Sequence, residues 1–383
     1  MTHASTVVHS SKVHEADVVV IGAGQAGLVA AHELQRRGIS GYAPTSLPAD
    51  DDSHLSFVVL DAEDGPGGAW LHRWPGLTMA TVNMIADLPG MPSEPQSGKE
   101  RSSEFIPEYF GDYEDEFDLP IMRPVRVRKV ERDGDGFLLT TTAGEFRTRA
   151  LLNCTGTWEA PFIPWYPGQE TFRGIQVHTH DYKQPDQFWR KRTLVVGGGI
   201  SALDHLDEIS KVTKHTFWAT RTPPRWKDPR EFSEGNPGRG LGAQAGRAVE
   251  ERVRARTEQG LRPLPVVAET GLPCNEKVRS MEERSLLDRR PMFDRLDANG
   301  AWWGEEYVEL DAIIWATGFR ANLRHLAPLK LHGGKGGILM RGTRVAAYPN
   351  LHLLGYGASA STVGARRDAR AAVREIVRYL KTD

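Results

Sequence analysis

Two glycine-rich turns carry most of the chemistry open to this chain. In Val18-Val19-Val20-Ile21-Gly22-Ala23-Gly24-Gln25-Ala26-Gly27 an apolar run enters a G-x-G-x-x-G turn, and a helical pattern leaves it. Gly22 permits the tight turn, Gly24 lets backbone approach a pyrophosphate, and Gly27 lets helix pack closely on strand. The phosphates then meet the free N–H groups and positive dipole end of the new helix. The theme returns at Thr193-Leu194-Val195-Val196-Gly197-Gly198-Gly199-Ile200-Ser201-Ala202, with Ala202 in the third glycine's place.

The charge at the end of the strand after each turn decides which dinucleotide suits it. Asp61 closes the apolar run Phe57-Val58-Val59-Leu60. An acid at that strand end accepts a ribose hydroxyl, so the first site favours an ADP moiety without a 2′-phosphate; a solvated acid is the plainer alternative. The usual spacing is about 20 residues, and a polar insertion from about Ser40 to Ser56 lengthens it here. After the second turn, His215 to Ala219 ends at Thr220-Arg221. A cation there accommodates a 2′-phosphate, the reading for NADP, against the alternative of a surface arginine. Gly65-Pro66-Gly67-Gly68-Ala69-Trp70 and Trp74-Pro75-Gly76 place bare glycines beside large rings. A flat ligand such as a flavin could lie against that backbone, and an ordinary turn with a core tryptophan fits equally well.

These residues need strands and helices to hold them. Gly136 to Thr141 and Glu145 to Thr148 read as a hairpin turning at Thr142-Ala143-Gly144, leading into Ala150 to Gly156, a buried strand that stops at Thr155-Gly156. Pro161, Pro164 and Pro167-Gly168 make an extended linker and a natural domain boundary. Tyr307 to Phe319 is expected to be a second buried strand ending in Thr317-Gly318. Leu351 to Gly357 is a further strand, and an amphipathic helix runs from about Ala365 to Leu380. A short helix is expected from Tyr109 to Phe117, with loop between Ser93 and Ser103. Residues 222–288 say least, beyond one helical run from about Ala243 to Gln259.

The 383 residues suffice for two or three domains, and a net charge of −2, from 48 basic and 50 acidic residues, gives no sign of a polyanionic partner. No stretch approaches the run of about 18 apolar residues that crosses a membrane. The polar start lacks the apolar core of a signal peptide, so a cytoplasmic protein is expected. Cys154 and Cys274 form no C-x-x-C, which removes a disulfide scaffold and the dithiol of a thioredoxin-reductase-type flavoenzyme. No metal site is expected: His205, His215 and the scattered acids have no ligand spacing.

Taken together, these motifs from about Asp17 to Leu380 resemble the class B flavin-dependent monooxygenases, which include flavin-containing monooxygenases, plant auxin-forming enzymes, N-hydroxylases and Baeyer-Villiger enzymes. Phe172-Arg173-Gly174-Ile175-Gln176-Val177-His178-Thr179-His180-Asp181-Tyr182 is similar to the family's F-x-G-x-x-x-H-x-x-x-[YW] element, lying just before the second glycine turn. Tyr182 matches the N- and S-oxygenating branch, where the Baeyer-Villiger branch has Trp. Gly67-Gly68-Ala69-Trp70 matches the GG-x-W flavin element, and Cys154 stands where alanine is usual before Thr-Gly.

The implied fold is α/β, with two Rossmann-like doubly wound domains. An NADP-binding domain (161–310) is inserted into an FAD-binding domain (1–160 and 311–383). The resemblance implies FAD at Gly22, Gly24, Gln25, Ala26 and Asp61, and also at Gly68, Ala69, Trp70, Thr155 and Gly156. Val127 would bring a backbone group to the adenine. NADP would meet Gly197, Gly199, Ser201 and Arg221, and Thr317, Gly318 and Gly357 would border the cofactors. No catalytic side chain is assigned; Asn83 and Arg320 are candidates, and His178 reads as a hydrogen-bonder at the domain hinge, with a cofactor contact as the alternative. NADPH would reduce FAD, and reduced flavin would meet O2 to give a hydroperoxide whose distal oxygen passes to a nitrogen or sulfur centre. The implied partners are a small-molecule substrate and O2, with no nucleic acid and no membrane, and a homodimer is compatible. The alternatives are ketone oxygenation of Baeyer-Villiger type, a flavin reductase or oxidase that inserts no oxygen, and a redox-sensing module.

Overall fold

The computed structural model describes residues 13–42, 54–82, 85–94, 97–228, 243–264, 266–360 and 362–382. Its centre is strand β1 (Val13–Ile21), in which Val18, Val19 and Val20 are all fully buried. A strand without a wet face belongs in a sheet covered on both sides. Helix α1 (Gln25–Gln35) returns the chain to β2 (Ser56–Leu60), parallel to β1 with Val18 opposite Phe57. Helix α2 (Ser102–Glu116) and the hairpin β3 (Val127–Asp133) and β4 (Gly136–Thr141) precede β5 (Gly144–Asn153), which flanks β1 on its other side. Alternation along β1 then sorts the core. Val18 and Val20 meet α1 and α2, while Val19 and Ile21 meet Val130, Phe137 and Leu139 of the hairpin. Each large apolar side chain so buried contributes about 1.5–3 kcal/mol.

The second domain is a five-stranded sheet built from β6 (Ile175–His178), β7 (Arg192–Val196), β8 (His215–Ala219), β9 (Arg289–Arg290) and β10 (Ala312–Trp315), all parallel, in the order β9-β8-β7-β10-β6. Helix α3 (Ile200–Ile209) follows β7. The chain then rejoins the first sheet as β11 (Leu351–Leu353), parallel to β5 with Leu351 opposite Leu151, and ends its described part in helix α5 (Thr362–Thr382). Ala369, Ala372, Val373 and Ile376 of α5 share a core with Leu28, Ala31 and Leu34 of α1.

The structure departs from the sequence expectations in three places. The run from Tyr307 to Phe319 is two strands, because Asp311 turns the chain; its carboxylate takes the Arg192 guanidinium at 2.7 and 2.9 Å and the Arg192 N–H at 2.8 Å. The expected boundary at 310/311 falls just before β10, which lies inside the second sheet between β7 and β6, so the crossing back comes after Gly318. Helix α2 begins at Ser102 and not Tyr109; Ser102-Ser103, expected as loop, open it, and Pro107 is held inside it. Helix α4 (Ala243–Glu258), from the least legible stretch, reaches the first domain, where Glu250 pairs with Arg367 at 2.6 Å and Arg254 with Asp368 at 3.4 Å.

Two crossings join the domains, and they pair with each other. Phe162 N–H donates to the Gly318 carbonyl (3.0 Å), Arg320 N–H to Ala160 (2.8 Å) and Asn322 N–H to Gly156 (2.9 Å). The hydroxyl of Thr155 donates to Asn322 (2.6 Å) and that of Thr317 to Phe162. The two Thr-Gly turns thus open and close one antiparallel ribbon.

Candidate functional site

At the carboxyl end of β1, Gly22 takes φ +95°, where a side chain would strain, and its N–H donates to Leu60 at 2.8 Å. A Cβ on Gly27 would lie 1.9 Å from the Gly22 carbonyl oxygen, so only glycine lets α1 sit this close. Gly24 has open space where a Cβ would point, as has Gly156 at φ +59°. A Cβ on Gly68 would come 3.2 Å from the Gly24 Cα, and one on Gly355 would come 3.6 Å from the Gly156 Cα. Bare backbone from β1, β5, the Gly68–His72 turn and the β11 end therefore forms one cradle. Helix α1 opens on it with no side-chain cap and no acid in its first turn, and the Gln25 Oε1 is buried without a partner. A pyrophosphate fits this arrangement, since uncapped N–H groups and a helix dipole favour an anion.

Asp61 is buried, accepting from Ala23 N–H at 3.3 Å and from the Arg123 Nε at 2.6 Å. Arg123 also grips Glu114 of α2 through two bonds of 2.5 and 2.7 Å. Sequence reasoning missed Arg123, for which no motif exists. A carboxylate oxygen accepts more than one hydrogen bond, so Asp61 retains capacity for a ribose hydroxyl. Val127 begins β3 opposite Thr141, at a register shift. Gly357 starts the turn before α5, where a Cβ would meet the Thr257 methyl of α4 at 3.0 Å.

The second turn repeats the plan. Gly197 takes φ +145°, its N–H donates to Ala219 at 3.0 Å, and α3 starts at Gly199 with neither side-chain cap nor acid in its first turn; Ser201 lies in that turn. Beyond β8, Arg221 is exposed with no carboxylate partner among the described residues; burial raises the pKa of Tyr166, and the Arg221 charge only partly opposes that shift.

Between the two turns lies the seam. His178 is buried; its Nδ1 accepts from His180 N–H (3.0 Å), so its Nε2 carries the proton and donates to Gly318 (3.1 Å), and burial pulls its pKa down. It anchors the ribbon, as a hinge residue would. Tyr182 is fully buried and donates to Glu208 of α3 (2.9 Å), whose pKa burial raises; Trp74 of the first domain stands edge-on to its ring at 6.0 Å. A Cβ on Gly76 would lie 2.5 Å from a Glu208 oxygen, so that glycine lets the domains touch. Asn153, at the end of β5, accepts from His325 Nε2 (2.6 Å) and donates to the Thr155 hydroxyl (3.0 Å), and burial lowers the His325 pKa to about 4. Of the two catalytic candidates, Arg320 is exposed with its guanidinium 4.0 Å from the Phe162 ring centre, and Asn83 lies outside the described residues.

Two glycine-turn cradles at the carboxyl ends of parallel strands in two sheets, joined by a paired ribbon, define a two-domain flavoprotein oxidoreductase. Residues 63–235 match the family model described as pyridine nucleotide-disulphide oxidoreductase. The structure superposes on a flavin-containing monooxygenase from Stenotrophomonas maltophilia with a TM-score of 0.76 and 32% identity, covering 96% of this chain and 99% of that one. The chain belongs to the flavin-containing monooxygenase family, whose members use FAD and NADPH. It is 29% identical over 198 residues to an uncharacterized oxidoreductase, CzcO-like, from Geobacillus kaustophilus, over 52% of each chain. It is 28% identical over 237 residues to senecionine N-oxygenase from Tyria jacobaeae, over 55% of this chain and 48% of that protein. These matches span about half the length of the curated relatives. No described helix is long and apolar enough to cross a membrane.

Proposed function

We propose that this chain is an NADPH- and O2-dependent monooxygenase acting on a nitrogen or sulfur centre of a small molecule. The observation that carries this reading is the pair of uncapped glycine turns on either side of one hinge, the first finished by an acid and the second by a cation. FAD would lie on Gly22, Gly24, Gln25 and Ala26, with Asp61 on its ribose and Val127 near its adenine. Gly68, Ala69, Trp70, Thr155, Gly156 and Gly357 would border it. NADP would rest on Gly197, Gly199 and Ser201, with Arg221 on its 2′-phosphate and Thr317-Gly318 beside it. Reduced by NADPH, the bound flavin supplies oxygen activation.

The chain's own residues position the two cofactors and keep water out. The Trp74–Tyr182–Glu208 contact holds the domains face to face, and His178 fixes the ribbon. Nitrogen or sulfur as the target is supported by Tyr182 and by the likeness to an N-oxygenase. Tyr182 sits in the second domain's core, so it acts through the domain contact and touches no reacting atom. Domains of 13–160 and 319–382 for FAD and 161–318 for NADP, with α4 leaning on the first, fit these contacts. The test is product analysis under labelled O2 with a matched amine, thioether and cyclic ketone. Label in the N-oxide or sulfoxide is the expected result. Lactone from the ketone alone, or NADPH oxidation without labelled product, would overturn it.

A further inference from the structure

Arg73 comes directly after the Gly68–His72 turn and sits in the seam between the domains. Its guanidinium carbon lies 4.2 Å from the centre of the Trp158 ring and 5.2 Å from that of Trp70. Trp158 stands three residues beyond Thr155 on the first crossing, and its indole is backed by Phe319 of the second crossing and by His180, each at 5.0 Å. The arginine is thus stacked at the carboxyl ends of both sheets, where ligands of such folds bind.

A cation in this position needs an acceptor, and the described residues supply none. Among the described residues no carboxylate or carbonyl takes a hydrogen bond from the Arg73 side chain, and its Nε is sealed from solvent without a partner. Burial alone pulls its pKa down to about 10, with no neighbouring charge of either sign contributing. The Trp158 Nε1, in the same stack, is a second buried donor without an acceptor. Glu63, the acid paired with the preceding residue His72 at 2.9 Å, makes no hydrogen bond to Arg73. Indole faces satisfy part of the guanidinium's charge, but they accept nothing in the plane where its N–H groups point. That plane is the one in which arginine grips carboxylates and phosphates with two parallel bonds.

We propose that Arg73, stacked on Trp158, is an oxyanion-binding site in the interdomain seam, taking a carboxylate or phosphate group of a bound small molecule. The oxyanion has two sources in this cleft, a cofactor pyrophosphate or a carboxylate on the substrate. The inference rests on the monooxygenase reading only in treating the seam as part of the cofactor cleft. Binding titrations without turnover therefore test it separately, since oxygenation can fail while the anion still binds.

The experiment compares the parent protein with Arg73→Gln and Arg73→Lys by calorimetric titration with NADP+, phenylacetate and the neutral phenylacetamide, and with FAD added to apoprotein. Arg73→Gln should weaken at least one anion tenfold or more and leave phenylacetamide within twofold. Arg73→Lys keeps the charge but loses the fork, so the same anion should weaken at least threefold. A loss on NADP+ or FAD assigns a phosphate, and a loss on phenylacetate assigns a substrate carboxylate. If Arg73→Gln does not fold, the lysine variant decides by its own threshold. All anions binding the variants within twofold of the parent would overturn the proposal.

Discussion

At the first glycine turn a Cβ on Gly27 would lie 1.9 Å from backbone, whereas Ala202 already carries one at the corresponding place in the second. The charges beyond the two turns differ as well. Asp61 is 6% exposed and chained to Arg123 and Glu114, while Arg221 stands exposed without a carboxylate among the described residues. The first site therefore comes with its selecting charge already settled inside the fold, as suits a cofactor that stays. At the second, Arg221 has no carboxylate to settle it among the described residues, so under the proposed NADP assignment its contact would be gained on arrival and lost on departure. One turn geometry would thus serve both proposed cofactors, a resident and a visitor, and the difference lies in what surrounds each turn.

The largest break in that comparison is Gly27→Val beside Ala202→Gly. The first should cost about 3 kcal/mol or more by overpacking against rigid backbone and strip the flavin. The second should cost about 1 kcal/mol, as glycine in a helix does. Thermal melts and flavin absorbance check both; equal tolerance at the two positions would erase the contrast. Arg123→Gln comes next. It leaves Asp61 buried with its main partner gone, and about 3 kcal/mol with partial flavin loss is expected. A variant as stable and as yellow as the parent would show that Asp61 needs no such settling.

Arg221→Ala sharpens the other half of the comparison. A charge-assisted contact to phosphate contributes about 1.5–3 kcal/mol, so the KM for NADPH should rise about 10- to 100-fold while that for NADH changes little. Equal rises for both would remove the 2′-phosphate from the account.

The smallest effect is on acid stability, where the domains should behave alike. Burial lowers His325 in the first domain to about 4 and His205 in the second to about 3. Both imidazoles are neutral when folded and take a proton on unfolding, so stability is full above about pH 6.5 and falls as pH drops toward the folded values. Each histidine contributes about 1 kcal/mol of that loss between about pH 6.5 and 5.5. His325→Gln should flatten the pH slope of flavin release; an unchanged slope would assign the acid lability elsewhere.

Much of this plan was legible because it is local. Glycine spacing encodes backbone that must turn and approach, and apolar runs ending at Asp61, Thr155-Gly156 and Thr317-Gly318 encode buried parallel strands and their carboxyl ends. Partners brought in from afar were not legible. Arg123 reaches Asp61 only because α2 and β2 are neighbours in space. Arg73 acquires meaning only once the crossing carrying Trp158 folds over it. Helix α4 has a helical pattern, yet no feature of that pattern states which domain it will touch. The turn at Asp311 was hidden because apolar residues on both sides made two short strands read as one.

The pairing of β11 with β5 and of α5 with α1 also sets an order of events during synthesis. After β5 leaves the ribosome, the first sheet has an open edge and α1 an unburied apolar face, and both persist until everything from Thr155 to Asn350 has been made. An unpaired edge of this kind invites pairing with other chains. The inserted domain can fold within that interval. Once its ribbon closes, Thr155 and Asn322 are hydrogen-bonded neighbours, and the span that separates the two halves of the first domain collapses to a short tether. The entropy of bringing β11 home falls with the length of the loop it must close. The second domain, once folded, would thereby shorten the loop that the first must close to complete its sheet.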